Sequence, residues 1–521
     1  MTRGAASQWR RPRASPWAPL AASAILFGGG TACGGGAPSP HPRHVLLISL
    51  DTTRADQLGC YGGPASTPAL DALAAEGVRF GDCTSAAATT LASHTSLMTG
   101  TYPRSHGVPR NGFVLDSRNE TLAERLGQAG FWCAAFLGSF ALDARFGFAQ
   151  GFDHFDQDFE VAVGVGGGDQ EQRRAERVTE ALLAHVDVVA AREGFEADGR
   201  LFLFAHYFDP HAPYAPPGAR DAGGTLPRIG AAVEGLQRAA LGVAPGVAAV
   251  VKSGLPDALV HAAPAQPTSE DRALAGLYAD EIQYADTAIG RLLVGLEARG
   301  LLQDTLVVVT ADHGETFWEH PNFWNHGLWV HQTDVHVPLI LRLPRAQTPD
   351  ERARVIDAPV SGVDVMPTVL HLLGLPPSAR CEGLDLTPLL AGEALPMRAL
   401  FAEATQPGSA VEPKSGARVE GADFGAAWWN DAKPVAVRSG PFKLVRAAYL
   451  GYEALFDLSR DPWERQDLSR DPTHAATLSA LRTALATYRA SGQALTSSFD
   501  PAQSLETVRR LEALGYYESG H

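Results

Sequence analysis

Cysteine is scarce. Five residues in 521, none of them in a CxxC pair, exclude a disulfide scaffold. Positive charge is not in excess either: 43 Lys and Arg against 58 Asp and Glu leave a formal charge of −15. Nucleic acid is therefore not an expected partner, because neutralising a phosphate backbone needs a basic footprint; a local basic cleft for a small anion stays open. Charged residues make up 19% against 45% hydrophobic, which excludes a chain disordered throughout and supplies a large core. There is no internal repeat. The Gly-rich stretch at 164–168 has no Lys-Ser/Thr after it and is not a phosphate loop. The apolar run at 17–27 is too short to span a bilayer.

That run has another meaning. Arg3, Arg10, Arg11 and Arg13 precede it with no acid among the first 16 residues, and small residues follow it up to Cys33. This order predicts an export signal over 1–33 and a periplasmic or cell-envelope location. Thr31-Ala32-Cys33 resembles the end of a bacterial lipobox, with Gly30 where that motif usually has Leu. The resemblance implies a lipidated Cys33 that anchors the chain to a membrane; a plain signal peptide or a disordered tail is the alternative. A Gly/Pro-rich linker occupies 34–43.

Residues 44–51 form an apolar run of strand length without alternation, as in a parallel-sheet strand covered on both faces. Further strands are expected at 132–136, 201–206 and 305–312, and helical periodicity runs over 67–77, 120–130, 170–191 and 270–298. The alternation predicts an α/β fold over 44–400, an α/β/α sandwich around a mainly parallel sheet. An insertion at 215–268, rich in Gly, Ala and Pro, breaks the rhythm as a lid, specificity loop or mobile insertion would. After a composition shift at 405–433 come short strand-like pieces at 434–439 and 442–446 and helix patterns at 474–490 and 505–514. Residues 401–521 are thus expected to form a smaller α+β subdomain with a short antiparallel sheet, ending in a tail.

Two of the expected strands end in Asp: Asp51, and Asp312 with His313 directly after it. Ligands of open parallel sheets bind outside the carboxyl ends of the strands. Two carboxylates and an imidazole there suit Zn, Mn or an Mg- or Ca-type ion better than copper. Alone, each Asp would read as a cap or turn residue. Between them lies Thr90-Leu91-Ala92-Ser93-His94, running on to Thr99-Gly100, Tyr102-Pro103 and His106-Gly107. This segment resembles the signature of the sulfatase family, within the alkaline-phosphatase superfamily: Cys or Ser, any residue, Pro, Ser, Arg, closing on Thr-Gly. Thr90 falls at the nucleophile position, Ala92 at Pro and His94 at Arg. Flanking segments follow in family order: Asp51-Thr52-Thr53-Arg54, His206 through Asp209-Pro210-His211, Asp312-His313-Gly314-Glu315, Asn325-His326-Gly327, and Asp461-Pro462-Trp463-Glu464.

The departures from the pattern change the implied chemistry. Sulfatases oxidise their Cys or Ser to formylglycine; Thr cannot yield it, and Cys83 lies seven residues too early to substitute. No formylglycine is expected. Where family members carry a second consecutive Asp as a calcium ligand, this chain has Thr52. The set Asp51, Thr90, Asp312 and His313 is similar to that of phosphodiesterases and phosphoalcohol transferases of the superfamily, which hold Zn or Mn beside an unmodified Thr. The resemblance thus implies a divalent cation, Zn or Mn ahead of Ca or Mg, that would activate the hydroxyl and draw charge from the ester oxygens. His211 and His326 are the implied proton donors to the leaving oxygen, or ligands of a second metal. Arg54, His94 and His206 are the expected substrate contacts, with a salt bridge as the alternative for Arg54 and helix packing for His94. His331 and His336 read as surface or hydrogen-bonding residues. The expected protein is a metal-dependent hydrolase of sulfate or phosphate esters of a small molecule, glycan or lipid, working through a covalent Thr90 ester. Such an ester cannot collapse to an aldehyde, which favours phosphoesters. A phospho-head-group transferase and a non-catalytic binding protein are the alternatives.

Overall fold

The computed structural model describes residues 41–163, 169–217, 266–320, 326–344, 354–404, 433–448 and 451–491, with single residues at 495, 507 and 510. The export segment, most of the 215–268 insertion, residues 405–432 and most of 505–514 lie outside the described residues.

In chain order the strands of the large sheet are β1 (His44–Leu50), β2 (Val78–Thr84), β3 (Trp132–Phe136) and β4 (His154–Asp156). A separate hairpin, β5 (Glu160–Val163) and β6 (Asp169–Gln172), precedes β7 (Leu201–Tyr207), β8 (Thr305–Ala311), β9 (His336–Arg342), β10 (Arg354–Ile356) and β11 (Val360–Ser361). The sheet has nine strands in the order β10-β2-β9-β8-β1-β7-β3-β4, with β11 also on β2. It is parallel except for β9, which runs antiparallel to both β2 and β8. Every residue of β1, β7 and β8 is buried, as their unbroken apolar character requires. Each large aliphatic side chain so covered contributes about 1.5–3 kcal/mol.

Helices α1 (Pro68–Glu76), α2 (Thr90–Thr99), α3 (Pro103–His106), α4 (Leu122–Gln128), α5 (Ala175–Ala190), α6 (Phe195–Asp198) and α7 (Ser269–Ala298) connect or cover these strands. Reciprocal side-chain caps fix where two of them begin: Thr121 with Glu124 for α4, and Thr268 with Asp271 for α7. On α7, Leu274, Tyr278, Ile282, Ala285, Ile289, Leu292 and Leu296 form one buried stripe.

One local expectation is corrected, and one strand was not expected. Residues 170–172 belong to strand β6, hydrogen-bonded to β5, so the helix begins only at Ala175. Strand β2 was hidden because Val-Arg-Phe-Gly-Asp-Cys-Thr is only half covered and its register slips between Phe80 and Cys83.

The small antiparallel sheet runs β12 (Leu400–Glu403), β13 (Val435–Ser439), β14 (Phe442–Ala447), β15 (Tyr452–Asp457) in sequential order. The helix Ala475–Ala490 covers it with Leu478, Leu481, Leu485 and Tyr488. Backbone bonds join the two sheets: Glu403 N–H donates to Ala86 O at 3.0 Å, and Ala88 N–H donates to Glu403 O at 3.2 Å. Lys443 Nζ, buried across this seam, lies 2.8 Å from Glu464 Oε1, while His331 Nδ1 donates to Glu464 Oε2 at 3.2 Å. Among the described residues no helix is long and apolar enough to cross a membrane.

Candidate active site

Parallel, in-register pairing sets Leu50 opposite both Tyr207 and Ala311, so β1, β7 and β8 end at one level. Asp51 and Asp312, one residue beyond, are therefore neighbours. Between them the backbone turns sharply: Thr52 has φ 49°, in the left-handed region. The turn is held by Tyr278 of α7, whose hydroxyl donates to Thr52 O at 2.6 Å and accepts the Arg54 N–H at 3.0 Å. The N–H groups of Thr52 and His313 donate to Asp312 Oδ1 at 3.1 and 2.8 Å.

That leaves Asp312 Oδ2 facing His313 Nε2 at 3.4 Å. Asp51 Oδ1, Asp312 Oδ2 and His313 Nε2 are all buried without a hydrogen-bond partner. Ligand atoms of these three residues lie within 4.8 Å of one another. Burial, and then the neighbouring Asp312, pushes the Asp51 carboxyl well above the usual range; burial also raises Asp312, against the pull of His94 and His206. Two buried carboxylates that repel each other, with an imidazole lone pair beside them, match what a divalent cation requires. The residues present fit such an ion.

The three expected substrate contacts are engaged elsewhere. His206, fully buried, donates from Nε2 to Asp51 Oδ2 at 3.1 Å and so orients that carboxylate. His94 pairs Nδ1 with Thr90 O and Nε2 with Ser49 Oγ, both at 2.8 Å. A carbonyl can only accept, so His94 carries its proton on Nδ1 and has no lone pair left for a ligand. Burial holds its pKa down to about 3. Arg54, 2% exposed, gives Nε and Nη2 to Asp56 at 2.9 and 2.8 Å, and Nη1 to Glu319 at 2.8 Å and Glu315 O at 3.2 Å. Its salt bridge is an interior one. All three side chains are thus taken up by hydrogen bonds within the protein.

Thr90 opens α2 and is fully buried, like every residue of that helix. Ser93 Oγ donates to Asp312 O at 2.7 Å, and Ser85 Oγ bonds the same carbonyl, which ties the start of α2 to the end of β8. Asn111 Oδ1 accepts the Leu91 N–H at 2.7 Å.

His211 and His326 come together from loops far apart in the chain, with ring centroids 5.0 Å apart, and His326 stacks on His313 at 4.4 Å. His326 Nδ1 lies 3.3 Å from both oxygens of Glu315, to which Tyr214 also donates at 3.3 Å. Burial raises the Glu315 carboxyl to about 7. His211 Nδ1 donates to Ala212 O at 2.7 Å. Sequence reasoning missed Glu315 as a working residue; its place two positions after His313 was the available signal.

The chain matches the family described as Sulfatase over residues 43–375. Among curated proteins it is similar to steryl-sulfatase of Mus musculus, 28% identical over 511 residues that cover 82% of this chain and 79% of the relative. It is also similar to an uncharacterized sulfatase of Escherichia coli, 25% identical over 63% of this chain and 67% of the relative. Among solved structures, phosphonate monoester hydrolases share the fold. That from Silicibacter pomeroyi aligns with TM-score 0.59 and 24% identity, covering 86% of this chain and 95% of the other. That from Agrobacterium radiobacter aligns with TM-score 0.61 and 23% identity over the same shares.

Proposed function

The chain belongs to the sulfatase family, and from that membership we propose that it is a metal-dependent hydrolase of sulfate or phosphate esters with the unmodified hydroxyl of Thr90 as nucleophile. One observation carries this reading: the partnerless, buried ligand atoms of Asp51, Asp312 and His313 converge where α2 is tied to the sheet, and α2 begins with Thr90. Asp51, Asp312, His313 and Thr90 would hold the cation, which supplies Lewis acidity when bound.

The protein's own groups then divide the work. Thr90 attacks as the alkoxide, its hydroxyl proton passing to solvent where a bound cation would lower its pKa, and its place in the first turn of α2 favours negative charge there. His326 gives a proton from Nε2 to the leaving oxygen; burial alone lowers its pKa to about 3, and Glu315 at Nδ1 opposes this by stabilising the charged imidazole. The same ring takes a proton back from the water that hydrolyses the Thr90 ester. His211, fixed through Nδ1 to Ala212 O, hydrogen-bonds the leaving oxygen or the entering water. Phosphoesters are favoured over sulfate esters because a Thr ester has no aldehyde to collapse to. We further propose export, with Cys33 as a lipid anchor; globomycin-sensitive acyl labelling lost in Cys33→Ala supports the anchor, and cleavage anywhere but before Cys33 refutes it.

The test is an assay of the purified protein on nitrophenyl sulfate, phosphate and phosphodiester substrates with Zn, Mn, Mg and Ca in turn. Turnover is expected with Zn or Mn and is lost in Thr90→Ala. Wild-type turnover in that variant overturns the nucleophile, and metal binding without turnover across the panel favours a non-catalytic binding protein.

A further inference from the structure

We propose that Arg174 and Glu281 are positioning residues that clamp both ends of the loop carrying His211, an inference that rests on the hydrolase reading above. The loop leaves β7 at Phe208 and returns at Ala215, where the insertion begins. Arg174, directly before α5, sets Nη1 at 3.2 and 3.1 Å from the two oxygens of Glu281 and at 3.3 Å from Asp209 Oδ1. Its Nη2 donates to Ala215 O at 2.8 Å, while the Ala215 N–H donates to Glu281 Oε1 at 2.7 Å. Asp209 at the start of the loop and Ala215 at its end are thus held by one guanidinium and one carboxylate. Between these points lie His211, stacked on Phe208 with centroids 4.5 Å apart, and Tyr214, which reaches Glu315.

A tie between α5 and α7 alone would not call for this arrangement. Those helices already bury apolar stripes that include Leu182, Val186, Ile289 and Leu292. Towards the far end of α5 they are joined by an exposed pair, Arg299 Nε to Asp187 Oδ1 at 2.7 Å. The side chains of Glu281 and Asp209 are instead completely covered, and two carboxylates share one cation. Burying them is costly unless geometry and hydrogen bonds offset it. Burial, opposed by Arg174, raises Glu281 to about 7 and Asp209 to about 6. What the arrangement secures is the path of seven residues, with His211 held over the reacting ester.

The experiment compares wild type, Arg174→Ala, Glu281→Gln and the surface control Arg299→Ala, each with and without His211→Ala. Misplacing a group by about 1 Å can cost about 100-fold, so kcat/KM should fall about 10- to 100-fold in Arg174→Ala and Glu281→Gln, and not in Arg299→Ala. In the His211→Ala background the same substitutions should cost nothing further. Equal losses in both backgrounds overturn the proposal, since a general loss of structure would multiply. Hydrogen exchange needs no substrate: in Arg174→Ala the Ala215 amide should exchange at least tenfold faster, with protection of β7 and α7 unchanged. Unaltered exchange there refutes the clamp even if no ester is turned over, whereas a wild-type protein inactive on every ester refutes the hydrolase reading alone.

Discussion

Asp312→Asn keeps the shape of the side chain and removes its charge. Because Oδ1 is already taken by two N–H groups, the change falls on Oδ2, which faces His313. Bound metal measured by plasma mass spectrometry should drop from about one equivalent in wild type to a small fraction, and turnover should vanish with it. Glu315→Gln tests a different atom. It leaves a hydrogen-bond acceptor for His326 but withdraws the charge that stabilises the imidazolium. We expect kcat to fall about 10²- to 10⁴-fold for alkyl esters and much less for nitrophenyl esters, whose leaving groups need no proton. A uniform loss across leaving groups would remove His326 as the donor. Asp51, Asp312 and His313 were legible because each ends or follows an apolar run with a strand's length. Glu315 had only its closeness to His313 as a signal, and Arg174 and Glu281 had none, because their meaning lies in partners that local patterning cannot reveal; Arg174 and Glu281 stand 107 positions apart.

At the scale of elements, Arg54 shows how a short motif serves the fold. Its guanidinium joins the turn after β1 to Asp56, Glu319 and the Glu315 carbonyl, and it packs on Phe317 with 4.6 Å to the ring centroid. Arg54→Ala should cost about 3–5 kcal/mol in urea unfolding, since Glu319 is then left buried and uncompensated. An unchanged unfolding midpoint with a raised KM would instead return Arg54 to the substrate. The doubly covered strands β1, β7 and β8 were legible because burial on both faces leaves a continuous apolar run. The β5–β6 hairpin was not: Asp-Gln-Glu-Gln of β6 is helix-like in composition, and only its pairing with β5 makes it a strand.

For the whole molecule, buried neutral histidines set the response to acid. Burial holds His44 and His106 down to about 3. Their unfolded counterparts titrate near 6.5, so below that pH the unfolded chain binds more protons. Stability is then lost as pH falls from about 6.5 towards 3, by about 1.4 kcal/mol per pH unit for each such histidine. Glu464 adds to the loss at lower pH: burial would raise it, but Lys443 and His331 hold it below the usual carboxylate range. Its contribution is complete above about pH 4.5 and fades beneath that. Asp286, raised to about 6 by burial, pulls the other way between about pH 4 and 6. Thermal unfolding should therefore show a shallower acid slope in His106→Asn than in wild type; identical slopes would mean that His106 is protonated in the folded chain.

The bonds between Glu403 and residues 86 and 88 have a practical consequence. They grip the backbone two residues ahead of Thr90, so β12 acts as a splint for the helix that Thr90 opens. Anyone trimming the gene at codon 400 to obtain a minimal enzyme would discard that splint, and the remaining piece would keep its Asp and His residues yet lose the fixed aim of the hydroxyl.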